Sequence, residues 1–160
     1  CKRLGVVADV QPAWLWKDGT TLSNILSAER MRWFQPFKTW MKYTMIGGGS
    51  DHMIRTDSLK ATNPWNPWLG MWCTVTRITE GGKVLTPEER LSREEAIRLY
   101  TVNSAYLCHE EDVKGSLEVG KLGDLILVDR DPLTCSLPDL LEITVLKTVI
   151  GGKVVYSREP

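Results

Sequence analysis

The spacing of apolar and polar positions changes along this chain and divides it into two parts. Leu4 to Gln11 (LGVVADVQ) is short, apolar and rich in valine, which predicts a buried strand. Pro12 stops it, and a loop carrying Trp14 and Trp16 is expected next. From Ser23 to Phe34, the residues Ile25, Leu26, Met31 and Phe34 recur at loose helical spacing. Pro36 suits the first turn of another short helix, whose inner face would hold Phe37, Trp40 and Met41. Tyr43 to Ile46 reads as a second strand, ended by Gly47-Gly48-Gly49-Ser50-Asp51. Strand, helix, strand is the order of a βαβ unit with parallel strands. Parallel pairs normally sit inside larger sheets covered on both faces. The N-terminal part therefore reads as the end of a larger α/β domain.

The run Asn63-Pro64-Trp65-Asn66-Pro67-Trp68 repeats a tripeptide and predicts a loop with two large aromatics, because Asn-Pro favours turns. Leu69 to Ile78 suits a helix with Leu69, Trp72 and Val75/Thr76 on one face; Thr74 to Thr79 equally suits a strand. The clearest helix starts at Ser92. Ser92 and Glu95 form a capping box, and Ala96, Ile97, Tyr100, Ser104 and Leu107 follow at helical spacing. From about Val113 the pattern turns to short strands. Gly115-Ser116 and Gly120-Lys121 mark turns, Leu122 to Val128 a strand, and Ile143 to Ile150 with Lys153 to Tyr156 a hairpin closed by Gly151-Gly152. A boundary is expected near Glu111 to Lys114, with an α/β part before it and a β part after.

Composition narrows the class. Of 160 residues, 42% are hydrophobic and 25% charged, which suits a folded domain and excludes disorder as the main state. Twenty basic residues balance twenty acidic ones, arguing against a nucleic acid or an anionic membrane as the main partner. No apolar run approaches the roughly 18 to 20 residues of a membrane span. There is no basic-then-apolar signal peptide, so a cytoplasmic location is the default expectation. Cys1, Cys73, Cys108 and Cys135 match no zinc or redox spacing and read as free thiols of a reducing compartment.

Candidate chemistry centres on Asp51. A carboxylate just past a strand, after flexible glycines, stands where α/β proteins place working groups. A Gly-Ser-Asp sequence is equally a turn or a helix cap. The glycines do not make a phosphate loop, since no Gly-Lys-Ser/Thr follows them, and Gly120-Lys121-Leu122 fails the same test. His52 beside Asp51 could line a pocket; His109, in His109-Glu110-Glu111-Asp112, reads as solvated, and the two form no metal motif. No Ser-His-Asp triad can be argued. Trp14, Trp16, Trp65 and Trp68, in expected loops, either line an apolar pocket or clamp those loops to the core. Arg77 and Glu95 read as structural.

With these residues in place, the chain resembles the C-terminal part of a metal-dependent amidohydrolase of the amidohydrolase-3 group, which includes YtcJ-like proteins and N-substituted formamide deformylases. The resemblance runs nearly end to end. It is carried by LGVVADVQP (Leu4 to Pro12), GGGSDHM (Gly47 to Met53), NPWNPWLGMW (Asn63 to Trp72) and SREEAIRLYT (Ser92 to Thr101). KGSLEVGKLGDLILVDRDPL (Lys114 to Leu133) and TVIGGKVVY (Thr148 to Tyr156) carry it further, with Gly123 where the family usually has alanine. It implies an α/β fold: the C-terminal part of a (β/α)₈ TIM barrel (residues 1–112) plus late strands of a small composite β-sandwich (residues 113–160).

The resemblance also implies that Asp51 binds a divalent metal, zinc by preference, and handles the proton of the attacking water. His52, Gln11, Trp14 and Trp68, at the ends of the implied seventh and eighth strands, become the expected substrate contacts. The family's other ligands are a first-strand His-x-His pair, a mid-barrel carboxylated lysine or equivalent, and histidines on the fifth and sixth strands. This sequence contains no His-x-His. A whole barrel takes roughly 250 residues, and a catalytic zinc usually needs three protein ligands. The expectation is thus a fragment that begins after the sixth-strand histidine, binds no metal alone and is inactive alone. Its partners would be a small-molecule substrate and the missing N-terminal part of the barrel, whether in one chain or supplied by a second. The rival is a non-catalytic remnant that forms a homo-oligomer, or binds a partner, through an exposed sheet edge.

Overall fold

The structure, a computed structural model, describes residues 1–51 and 65–159. The first apolar run starts as a helical turn, not as a strand. Lys2–Leu4 form a short 3-10 turn closed by Gly5 in the left-handed conformation (φ 63°). Glycine adopts that φ without a Cβ clash, and the chain becomes extended only at β1, Ala8–Val10.

β2, Ile46–Gly48, pairs with β1 in parallel, with Ala8 opposite Ile46, Asp9 opposite Gly47 and Val10 opposite Gly48. The parallel pair is as expected, but the strand lies further on, and two of the glycines expected to end it belong to it. Close packing explains their place. A Cβ on Gly47 would stand 2.9 Å from Leu107 Cδ2, and one on Gly48 would stand 2.8 Å from the Tyr100 ring. Glycine in a strand marks such close approach.

Between the strands run α1 (Ala13–Ile25), α2 (Ala28–Met31) and α3 (Phe37–Met41). Trp14 and Trp16, expected in a loop, lie in α1. Pro12 already has helical angles (φ −60°, ψ −25°), so it opens the helix instead of a loop. Asn66 likewise starts a helix: its side chain accepts a hydrogen bond from the Trp68 N–H, and Pro67 opens α4, Pro67–Thr76. The helical reading of this stretch holds, and an Ile78–Val84 bridge is what remains of the strand alternative. Asn63 and Pro64 lie outside the described residues.

The Ser92–Glu95 capping box forms as expected and starts α5, Arg93–Leu99. The pattern then breaks. Thr101 leaves helical angles (φ −127°, ψ −94°) and α6 covers Val102–Leu107. The break lets Tyr100 turn inward, while Asn103 Nδ2 donates to the Ile46 carbonyl at 2.9 Å and ties α6 to β2.

One core cluster joins Val10, Leu15, Phe37, Ile46, Leu91 and Leu99. Beside it Arg77, which ends α4 at φ 60°, is fully buried. Its guanidinium donates to the carbonyls of Leu85, Gln35 and Phe34 and to Thr86 Oγ1, and lies 5.3 Å over the Phe37 ring. A second cluster joins Trp68, Met71 and Ala96 to Leu140 and Ile143, with Val128 packed against it. It links the helices to the C-terminal part.

That part is an antiparallel sheet of order β3-β4-β5: Leu125–Val128, Val145–Ile150 and Lys153–Ser157. The glycine turn is as expected, with Gly151 and Gly152 at φ 56° and 76°. The first strand begins later than expected, because the Leu122 N–H turns back to the Val113 carbonyl. Between β3 and β4 lies α7, Leu137–Leu141, absent from the expected elements. Ser136 caps it, its side chain accepting from the Asp139 N–H. No helix among the described residues is long and apolar enough to cross a membrane.

Candidate active site

The two parallel strands have unlike faces. Ala8 and Val10 pack with the first core cluster, so period two turns Asp9 to the opposite face and Gln11 with it. Gln11 Nε2 donates to Asp9 Oδ2 at 3.1 Å. Across from them the Gly49 N–H donates to the Val10 carbonyl at 2.8 Å. A Cβ on Gly49 would lie 2.9 Å from Asp9 Oδ1, so the missing side chain makes room for the carboxylate.

Asp51 follows two residues on, with its backbone in the left-handed region (φ 49°). That region is uncommon outside glycine, and aspartate tolerates it best together with asparagine and histidine. Trp14 Nε1, from the first turn of α1, donates to Asp51 Oδ2 at 3.3 Å. Parallel strands put their carboxyl ends side by side. Asp9–Gln11 and Trp14–Asp51 therefore stand at one end of the sheet, each carboxylate held by a side-chain N–H.

Beside them is a cavity of about 230 Å³, lined among others by Gly48, Gly49, Ser50, Trp65, Gly70 and Tyr100. Tyr100 is wedged against two glycines: a Cβ on Gly70 would fall 1.9 Å from its hydroxyl oxygen. Burial first, then the neighbouring Cys73 and Asp9, push the Tyr100 phenol far above its ordinary range.

The structure joins Trp14 to Asp51 and Gln11 to Asp9, both pairs at the carboxyl end of the strand pair. His52 lies outside the described residues. Trp68 turns the other way, into the second core cluster, with 8% of its surface exposed; Trp65 lines the cavity instead. Sequence reasoning passed over Asp9 and Tyr100. Asp9 had a signal: in Ala8-Asp9-Val10-Gln11 the polar residues alternate with the apolar ones. Tyr100 had none, because its helical spacing suggests an ordinary core residue. Among the described residues no group of three or more His, Cys, Asp or Glu side chains could hold a metal ion. Asp51 is a single carboxylate, and the described residues alone do not make a metal site.

The amidohydrolase family model matches residues 1–156. The chain belongs to the amidohydrolase family. It is 33% identical over 136 residues to the N-substituted formamide deformylase of Arthrobacter pascens, a match covering 79% of this chain and 25% of that protein. It is 29% identical over 160 residues to the putative amidohydrolase YtcJ of Bacillus subtilis (strain 168), covering 98% of this chain and 29% of that one. The crystal structure of an uncharacterized metal-dependent hydrolase from Pyrococcus horikoshii OT3 superposes with a TM-score of 0.67 at 29% identity, over 86% of this chain and 27% of that one. The chain thus spans less than a third of the length of these relatives.

Proposed function

We propose that this chain is the C-terminal part of a metal-dependent hydrolase acting on non-peptide carbon–nitrogen bonds, such as amides or formamides. Residues 1–112 would complete a (β/α)₈ barrel and residues 113–160 its composite β-sandwich. One observation carries the reading. Asp51 stands at the carboxyl end of a parallel strand pair, its carboxylate held by the Trp14 indole, in a chain of amidohydrolase ancestry. That end of the strands is where barrel enzymes work.

In this reading Asp51 Oδ accepts a proton from the attacking water as the oxygen closes on the carbonyl carbon. It returns that proton to the leaving nitrogen as the carbon–nitrogen bond breaks, acting as general base and then as general acid. Trp14 fixes the carboxylate's orientation, and Gln11 and His52 are the proposed substrate contacts. Trp68 does not reach the substrate side, since it packs into the core. Asp51 would be one ligand of a divalent cation, zinc by preference, whose remaining ligands lie outside the described residues. Bound there, such an ion would supply charge stabilisation at the carbonyl and a more acidic water.

The test is turnover of amide and formamide substrates by the full-length protein loaded with a divalent metal, beside residues 1–160 alone. Hydrolysis is expected from the first and none from the second. Full activity of the Asp51→Asn variant of the full-length protein would overturn the reading. The second reading, a non-catalytic module pairing through its sheet edge, draws on β5, whose Val154, Val155 and Tyr156 are all exposed. It predicts a stable homo-oligomer of residues 1–160 and an inactive full-length protein.

A further inference from the structure

We infer that Asp9 is a positioning residue that sets the direction of the Gln11 side-chain amide, and that the site thereby selects carbon–nitrogen bonds whose nitrogen carries a hydrogen. The inference rests on the hydrolase reading above and names the substrate class within it.

A glutamine amide has a donor end and an acceptor end, and by itself it can turn either toward a ligand. Gln11 has no such choice. An ionised carboxylate only accepts hydrogen bonds, so the end of Gln11 facing Asp9 Oδ2 at 3.1 Å is its nitrogen. The carbonyl oxygen Oε1 therefore points away, and none of the described residues donates to it. Gln11 presents an acceptor one residue past β1, at the same end of the sheet as Asp51.

The arrangement is built into the backbone. Asp9 and Gln11 share a face because they are two residues apart on an extended chain. Gly49 stands directly across. Its Cα leaves the Asp9 carboxylate a place that a Cβ would fill, with Oδ1 at 2.9 Å and Oδ2 at 3.1 Å from where that Cβ would be. Gly49 does not have a positive φ, so a turn does not explain the glycine; the neighbouring carboxylate does.

An outward acceptor matches a substrate donor. A secondary amide or an N-monosubstituted formamide carries one N–H on the nitrogen that leaves. An N,N-disubstituted amide carries none and would set the acceptor against a carbon group. The Asp9–Gln11 pair is exposed, so a substrate without the N–H forgoes about 2- to 10-fold in binding, the net worth of one hydrogen bond.

The experiment uses the full-length, metal-loaded protein and two substrates, an N-alkyl formamide and its N-methylated counterpart. The wild-type protein is expected to prefer the N–H substrate by about 2- to 10-fold in kcat/KM. Asp9→Ala should bring that ratio toward one, chiefly by raising KM for the N–H substrate. Asp9→Asn, which keeps one acceptor atom, should lie between. Gly49→Ala should act in the same direction without touching Asp9 or Gln11 chemically, and it serves where Asp9→Ala fails to fold. A merely structural role for Asp9 would lower both substrates equally. A wild-type ratio near one, or a ratio that survives both Asp9→Ala and Gly49→Ala, would overturn the inference while leaving the hydrolase reading intact. A wild-type protein inactive on both substrates would overturn the hydrolase reading and this inference with it.

Discussion

The two sheets of this molecule are small, yet they use their surfaces differently. The parallel pair β1–β2 packs one face against α1, α3 and α5; on the other, Leu107 of α6 covers Gly47 while Asp9 stays exposed, with Gln11 and Asp51 at the same end. The antiparallel sheet β3–β5 is the reverse. Its chemistry is unremarkable, but apolar residues lie uncovered on it: Ile126, Leu127, Ile150, Val154 and Val155 are all exposed among the described residues. Between that sheet and α5–α6 runs a groove of about 590 Å³, lined by Ala105, Cys108, Leu117 and Leu125 among others. A bare polar face suits work on a substrate. Bare apolar strands suit burial against further protein, in keeping with a chain that spans less than a third of its relatives.

The sharpest way to break this contrast is to replace Asp51. In the full-length protein Asp51→Asn should lower kcat by about a thousandfold, the middle of the range for a general acid–base group, with the melting temperature unchanged. Next comes the buried side of the first region. Arg77→Ala removes four donated hydrogen bonds and leaves three carbonyls and the Thr86 hydroxyl without their donor, so urea denaturation should show a loss of about 3 kcal/mol or more. Gly70→Ala drives a Cβ into the Tyr100 hydroxyl and should cost about 2 kcal/mol, although alanine is the better helix former.

The second sheet predicts a smaller change. Val155→Ala should cost about 1 to 2 kcal/mol in the full-length protein if the proposed sandwich covers β5. If β5 is bare there, the same change should stay within about 0.5 kcal/mol, and the contrast between the sheets would lose its structural half.

The smallest effect concerns pH. Burial raises the Glu95 carboxyl, but its hydrogen bonds from Lys38 and from the Ser92 backbone outweigh this and hold it below the ordinary 4.5. Its pKa is lower in the folded chain than in the unfolded one, so the unfolded chain takes up the proton first as pH falls. The stabilisation is present above pH 4.5 and fades as pH drops through the folded value. Glu95→Gln should flatten the acid limb of a stability–pH curve, with a loss at neutral pH of about 0.5 kcal/mol.

Legibility in the sequence followed the range of the interaction. The Ser92–Glu95 box, the Gly151-Gly152 hairpin and the Phe37–Met41 helix are local devices, and all three were readable from a few adjacent residues. Pro12 and Pro67 misled because proline both ends strands and opens helices; which role wins depends on the backbone angles that follow. The cap of α7 was written in Ser136-Leu137-Pro138-Asp139 and passed unread. At the candidate site, Asp51 is marked by its place after a strand-like run and Gln11 by the family resemblance, whereas Trp68 packs away from both. A tryptophan in the first turn of a helix can face either way, and only the packing of Met71, Ala96, Leu140 and Ile143 turned it inward.

The amino-acid order alone determined the family, the strand–helix–strand course and the position of Asp51. These rest on hydrophobic period, turn chemistry and motif spacing, all of them properties of neighbouring residues. Tertiary structure decided that Gly47, Gly48, Gly49 and Gly70 are clearances for Leu107, Tyr100 and Asp9. It also decided that Arg77 is a buried brace. The reason is physical: these roles come from atoms brought within about 3 Å across tens of residues of chain, and no local pattern encodes which distant group will fill the space a glycine leaves.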